Sequence, residues 1–253
     1  MRNTLLLFLL PLALAGCKSQ PESAKSTEQM ATISVDPATA GSVAGTIAYQ
    51  GPGIKLPRLD MTADPACPGQ PQTSDAIVIN QGKLANVFVY VKEGLPPGMF
   101  PVPSQPAILD QKGCRYVPHV LGVMAGQPLR ITNSDAADHN VHAMPTTNAA
   151  WNESQKPKDP AITKTFNKPE MKVAMQCNQH PWMRAYVNVI AHPYYAVSAP
   201  DGTFEIANLP PGEYTLVAVH ERFGEQTARV KVAPKQNAQT EFTFRPAELW
   251  MLK

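Results

Sequence analysis

Gly202-Thr203-Phe204-Glu205-Ile206-Ala207-Asn208-Leu209-Pro210-Pro211-Gly212-Glu213-Tyr214-Thr215-Leu216-Val217-Ala218-Val219 reads as a strand, a Pro-Pro-Gly turn and a second strand. The turn residues break the run and the flanking β-branched and aromatic residues suit a pleated surface. The same grammar extends outward in both directions. Val43, Gly45, Ile47 and Tyr49 alternate with Ala44, Thr46 and Ala48. Asn86 to Lys92 is a β-branched and aromatic run suited to a strand buried on both faces. Leu121 to Thr132 reads as strand, Gly126 turn and strand. Met171–Gln176, Tyr186–Ala191, Arg229–Val232 and Thr240–Phe244 complete the set. Short strands separated by turn signals predict an all-β protein, a sandwich or barrel.

Composition agrees and excludes other classes. The chain has 253 residues, room for one large or two small domains. Its 26 prolines interrupt nearly every window. No long 3.6-period stretch survives beyond the first sixteen residues, which argues against a helical bundle or a doubly wound enzyme. At 43% hydrophobic residues the chain can bury a core. A net charge of +2 without a basic block gives no electrostatic support for a nucleic-acid partner.

The N-terminus reads as a targeting signal. Arg2 precedes an apolar run from Leu5 to Leu14, followed by Ala15-Gly16-Cys17. The run is too short for a stable transmembrane helix. Leu14-Ala15-Gly16-Cys17 resembles the bacterial lipobox. The resemblance implies a signal peptide over residues 1–16 and a lipid on Cys17. Membrane contact would then be through that anchor alone, facing the periplasm, with the outer membrane favoured by Lys18 in a Gram-negative host. Residues 17–40, rich in Ser, Gln, Glu, Lys and Pro, read as a flexible tether.

Export places the cysteines in an oxidising compartment. With Cys17 lipidated, Cys67, Cys114 and Cys177 remain. Cys67 and Cys114 sit in Pro- and Gly-flanked loops and are expected to pair as a disulfide. Cys177 is left over, and its neighbours explain it.

Cys177-Asn178-Gln179-His180-Pro181-Trp182-Met183 is a Cys-x2-His-x2-Met loop, and Asp138-His139-Asn140-Val141-His142 lies upstream. A thiolate, two imidazoles and a thioether form a mixed soft set that suits copper. Zinc is the competing metal, but Met is a poor zinc ligand. The turn after Met171–Gln176 can deliver Cys177, His180 and Met183 together. Strand alternation puts His139 and His142 on opposite faces, so only one of them points easily at such a site.

Two family resemblances follow. Ala199-Pro200-Asp201-Gly202-Thr203-Phe204 through Leu209–Leu216, with Gly41–Tyr49 and Leu84–Tyr90, resembles the carboxypeptidase regulatory-like (transthyretin-like) β-sandwich. It implies a sandwich built from residues 41–100 and 193–247, with 105–192 inserted; a linear order of two domains is the alternative. Residues 105–192 resemble the cupredoxin family, the amicyanin/plastocyanin-like blue copper proteins. The likeness lies in Tyr116–Gln127, Thr132–Asp135, His139-Asn140-Val141-His142 and the ligand loop. It implies a Greek-key β-sandwich or barrel, one type 1 copper held by His139, Cys177, His180 and Met183, and Asn140 hydrogen-bonded to the ligand loop. His142 falls on a non-ligand position and stays the replacement for His139.

The resulting expectation is a lipid-anchored, non-enzymatic carrier of single electrons. Its expected redox donor and acceptor are proteins, with a periplasmic dehydrogenase and a c-type cytochrome as candidates, docking at an exposed His180. A copper store or chaperone, or a metal-free interaction module, are the alternatives.

Overall fold

The structure, a computed structural model, describes residues 31–67 and 72–246. The signal segment, Cys17 and the tether as far as residue 30 lie outside the described residues. The protein is all-β. The strands in chain order are β1 (Gly41–Tyr49), β2 (Arg58–Leu59), β3 (Gln72–Thr73), β4 (Ile79–Asn80), β5 (Lys83–Leu84), β6 (Phe88–Glu93) and β7 (Ala107–Gln111). They continue as β8 (Tyr116–Val117), β9 (Val120–Met124), β10 (Pro128–Asn133), β11 (His139–Met144), β12 (Trp151–Gln155), β13 (Ile162–Thr165) and β14 (Glu170–Gln176). The last are β15 (Arg184–Ile190), β16 (Tyr195–Val197), β17 (Thr203–Leu209), β18 (Gly212–His220), β19 (Gly224–Val232) and β20 (Asn237–Phe244).

Two pairs of sheets enclose two cores. In the first pair, β1 runs between β20, its parallel neighbour, and β17, its antiparallel one, and the sheet continues through β5 to β4. The facing sheet is ordered β16-β6-β18-β19. Val43, Ile47, Phe204, Ile206, Leu209, Val89, Val91 and Leu216 meet between them. The period-2 alternation of β1 and β17 is thereby used: their odd or even apolar set faces inward and the rest faces solvent. In the second pair, β13-β10-β7-β8 faces β12-β11-β14-β15-β9. Its core includes Leu109, Tyr116, Leu129, Ile131, Val141, Phe166, Met175 and Val187. Among the described residues, the strands β7 to β15 pair only with one another, whereas β1 and β6 pair with strands beyond residue 194.

The two stretches with special placement are residues 31–40 and 58–67. Ile33 N–H donates to Met99 O at 2.8 Å and Met99 N–H to Ala31 O at 3.0 Å, so the end of the predicted tether lies along the first sandwich. Met61 and Cys67 are buried in the second core although residues on either side of them in the chain serve the first.

The sandwiches touch where β9 passes β6 and β16. Gly122 allows it: a Cβ there would come within 2.2 Å of the Tyr195 ring and 2.8 Å of the Phe88 ring. Tyr195 O–H donates to Gly122 O at 3.1 Å. Glu170 organises the far end of β11. Its carboxylate accepts from the backbone N–H of Thr146, Thr147 and Asn148 and from the Asn148 side chain. Burial would raise its pKa, but these bonds outweigh it and hold the group down at about 2.

Two outcomes follow from this packing. Gly122→Val should cost about 1–3 kcal/mol by overpacking the joint, read as a lowered denaturant midpoint at unchanged m. Glu170 has a depressed folded-state pKa, so its contribution is present above the unfolded value of 4.5 and fades as pH falls from there toward about 2. Glu170→Gln should therefore lose about 1–2 kcal/mol near neutrality and show a flatter stability profile over that acid window.

Candidate metal centre

The candidate site sits at one end of the second sandwich, where three pieces of chain converge. β14 ends at Gln176 and β15 resumes at Arg184, so the loop between them is only seven residues long. It closes on itself: Met183 N–H donates to His180 O at 2.8 Å and Cys177 N–H to Met183 O at 3.2 Å. This folds Cys177, His180 and Met183 into the core, and all three are buried, Met183 fully. His139 opens β11, which pairs with β14, and it too is buried.

The geometry brings the predicted donors together. One ligand atom each from His139, Cys177 and His180 lies within 4.8 Å of the others. His139 Nδ1 is 2.9 Å from His180 Nδ1, and Cys177 Sγ is 3.7 Å from the latter. His142 is not part of the group; its ring turns to Asn178 Oδ1 at 3.3 Å on the half-buried face. Asn140 ties the strand to the loop: its Oδ1 accepts from Asn178 N–H at 2.8 Å and from the Cys177 thiol at 3.3 Å. Tyr116 O–H, whose pKa burial pushes up, donates to the Asn140 carbonyl at 2.5 Å. Cys177 is a free, buried thiol, and Cys67 and Cys114 form a disulfide with Cα atoms 5.6 Å apart.

Sequence reading missed two carboxylates. Asp135 Oδ2 lies 2.9 Å from His139 Nε2, and Asp64 Oδ2 lies 3.1 Å from His180 Nε2. Asp135 is itself cradled by the Gly113 N–H at 2.6 Å and the Cys114 N–H at 2.8 Å. Gly113 and Cys114 both have positive φ, 66° and 52°, which turns successive N–H groups toward one anion. Asp64 accepts from Ala66 N–H at 2.8 Å. That bond is the largest influence on its carboxyl; burial opposes it, and with the weaker help of the His180 contact the pKa stays below the usual range. Burial pushes the His139 pKa down, opposed by Asp135. The signals were present: Asp135 stands four residues before His139, and Asp64 three before Cys67.

One expectation is overturned. His180 was expected to be exposed, but the residue is only 3% exposed. Segment Met61–Cys67 lies against the ring edge, with Cys67 Sγ 3.9 Å from Nε2. Trp182 covers a face with ring centroids 5.1 Å apart and donates its indole N–H to Cys114 O at 3.0 Å. Short ligand loops alone do not foretell this, because the cover comes from more than a hundred residues upstream.

The donor set fits a soft or borderline metal ion. An ionised carboxylate can only accept, so each Nε2 carries a proton, and the Nδ1 of a ring in its neutral form is then a bare acceptor. Two such acceptors facing each other at 2.9 Å repel unless a cation lies among them. A thiol beside them, with a buried thioether in the same loop, supplies the sulfur that copper favours.

The carboxypeptidase regulatory-like domain family matches residues 173–245. The match starts within β14, so it takes in the Cys177–Met183 loop as well as the strands of the first sandwich. Among solved structures, a copper(I) form of an amicyanin variant is 28% identical over 35% of this chain and 85% of that one, with a TM-score of 0.31. An oxidised amicyanin variant gives 27% identity with the same coverage and TM-score. A purple cupredoxin from Nitrosopumilus maritimus is 20% identical over 33% of this chain and 98% of that one, with a TM-score of 0.29. No curated protein matches the sequence.

The disulfide ties the segment that bears Asp64 to the turn that cradles Asp135, across 47 residues. Replacing both Cys67 and Cys114 by Ser should lower unfolding free energy by about 2–5 kcal/mol, read by denaturant titration.

Proposed function

We propose that the protein is a type 1 copper protein that carries single electrons between redox partners and performs no catalysis of its own. The observation that supports this reading is the convergence of His139, Cys177 and His180 within 4.8 Å, with Met183 buried in the same loop. Copper bound there would supply a centre that cycles between two oxidation states one electron apart.

The chain's own residues supply the rest. His139 and His180 offer Nδ1 atoms whose orientation is set through Nε2. Cys177 offers a sulfur that metal coordination would deprotonate. Met183 would offer a weak thioether donor of the kind that tunes potential. The donors come from a strand and a tight loop braced by it, so they resist rearrangement when charge changes. Small rearrangement favours electron transfer over release. That rigidity, with all four side chains buried, weighs against a copper store or chaperone.

With the His180 edge covered, the ligand loop reaches solvent at Asn178, Gln179 and Pro181 and partly at Trp182, of which Pro181 and Trp182 are the apolar part. Partner proteins, such as a dehydrogenase as donor and a c-type cytochrome as acceptor, would meet this face. The reading extends to location: an exported chain, anchored to the periplasmic side of a membrane by lipid on Cys17.

The copper-loaded protein should show an intense visible thiolate-to-copper band that a reductant bleaches and an oxidant restores. Cys177→Ser should be colourless, and Met183→Gln should keep the colour while its potential shifts in spectroelectrochemical titration. A colourless wild type that holds copper without reversible cycling would instead favour storage.

A further inference from the structure

The segment Met61–Cys67 is a built piece of structure rather than a loose cover. Asp64 N–H donates to Met61 O at 3.3 Å, Ala66 N–H to the Asp64 carboxylate at 2.8 Å and Cys67 N–H to Asp64 O at 3.0 Å. Met61 is 3% exposed and pins one end in the second core, while the disulfide to Cys114 pins the other. Between these anchors Asp64 reaches His180 Nε2 at 3.1 Å. The imidazole side chain is only 4% exposed, and the carboxylate is the group that stands between its N–H and water.

We propose that Asp64 is a positioning residue for His180: it accepts the Nε2–H, fixes the tautomer that leaves Nδ1 free to ligate, and closes the ring edge to solvent. The role rests on the copper reading only for which atom meets the metal. Physically, a neutral imidazole has two tautomers, and a carboxylate at one nitrogen selects the form protonated there. The same contact resists rotation of the ring about its own axis, which would exchange Nδ1 for a carbon. Carboxylates behind ligating histidines raise ligand basicity, and their loss typically costs about 10- to 100-fold in metal affinity. Asp135 holds His139 in the same manner from within the second sandwich. Asp64 differs because it belongs to a chain segment that leaves the first sandwich to reach the site.

The test compares full-length wild type, Asp64→Ala and Asp64→Asn. In the metal-free protein, long-range proton–nitrogen correlation spectra of the imidazole rings should show His180 as the Nε2–H form in the wild type. The ring proton should exchange slowly. Asp64→Asn should keep this form, because its amide oxygen still accepts. Asp64→Ala should give mixed tautomers and fast exchange at His180, with His139 unchanged as the internal control. Competition with a copper(I) chelator should then show affinity lowered about 10- to 100-fold in Asp64→Ala, and less in Asp64→Asn. An unchanged His180 tautomer in Asp64→Ala would overturn the proposal. So would loss at both rings, since the effect would then be collapse of the loop. A wild type that takes up no copper would sink the function proposed above while the tautomer comparison still decides the role of Asp64.

Discussion

One covalent bond sets the electrostatics of the candidate centre. The Cys67–Cys114 disulfide joins two short turns, and each turn carries or cradles a carboxylate. Asp64 is held three residues before Cys67. Asp135 is held by the backbone of Gly113 and Cys114 itself. The two carboxylates then take one nitrogen each from His180 and His139, and the other nitrogens are left facing the Cys177 sulfur. Removing the covalent link would free both turns at once, and a left-handed Cys114 has little reason to keep its conformation without it.

Burial gives this arrangement its force. A carboxylate–imidazole contact at the surface is screened and weak, whereas here the His139 side chain is fully buried and that of His180 nearly so. In such surroundings bare nitrogen acceptors are costly unless something positive meets them. The surrounding core also fixes position. Val141, Met175, Met183 and Val187 pack in one cluster with the Cys177 thiol, so the donors cannot drift apart without opening a cavity. Fold and site are therefore one problem: the strands that carry the donors are the strands that make the core.

Much of this was legible in the sequence, and the reasons are local. The strand–turn–strand pattern around Pro210-Pro211-Gly212 appears as β17 and β18, and Gly126 turns the chain between β9 and β10 at φ +88°. Such signals act over a few residues, which is why a single chain displays them. The grouping of Cys177, His180 and Met183 was visible because one seven-residue loop delivers them. Strand alternation left His139 and His142 as rivals, and the register of β11 against β14 separates them. What stayed hidden was long-range. The expected Cys67–Cys114 pairing takes Asp60–Cys67 to the other sandwich, but its apolar residues, Met61, Ala63, Ala66 and Cys67, form no patterned strand that would place Asp64 against His180. The exposure expected for His180 failed for the same reason: burial by a distant segment leaves no periodic trace.

The placement of that segment bears on what the first sandwich is for. Read from sequence, the strands around residues 41–100 and 193–247 look like a spacer or docking module beside a self-sufficient metal domain. The contacts point another way. A piece limited to residues 105–192 would lack Cys67, leaving Cys114 without its disulfide partner, and would lack Asp64, the carboxylate at the His180 ring edge. Met61 and Leu59 would also be missing from the second core. The first sandwich supplies the chain on either side of this segment, with β2 and β3 pairing beside it and Arg115 of the second sandwich bonding Asp75 and the Thr73 carbonyl. Its strands fix where that lid begins and ends, so the sandwich acts on the centre through geometry even though none of its own strands reaches a donor atom.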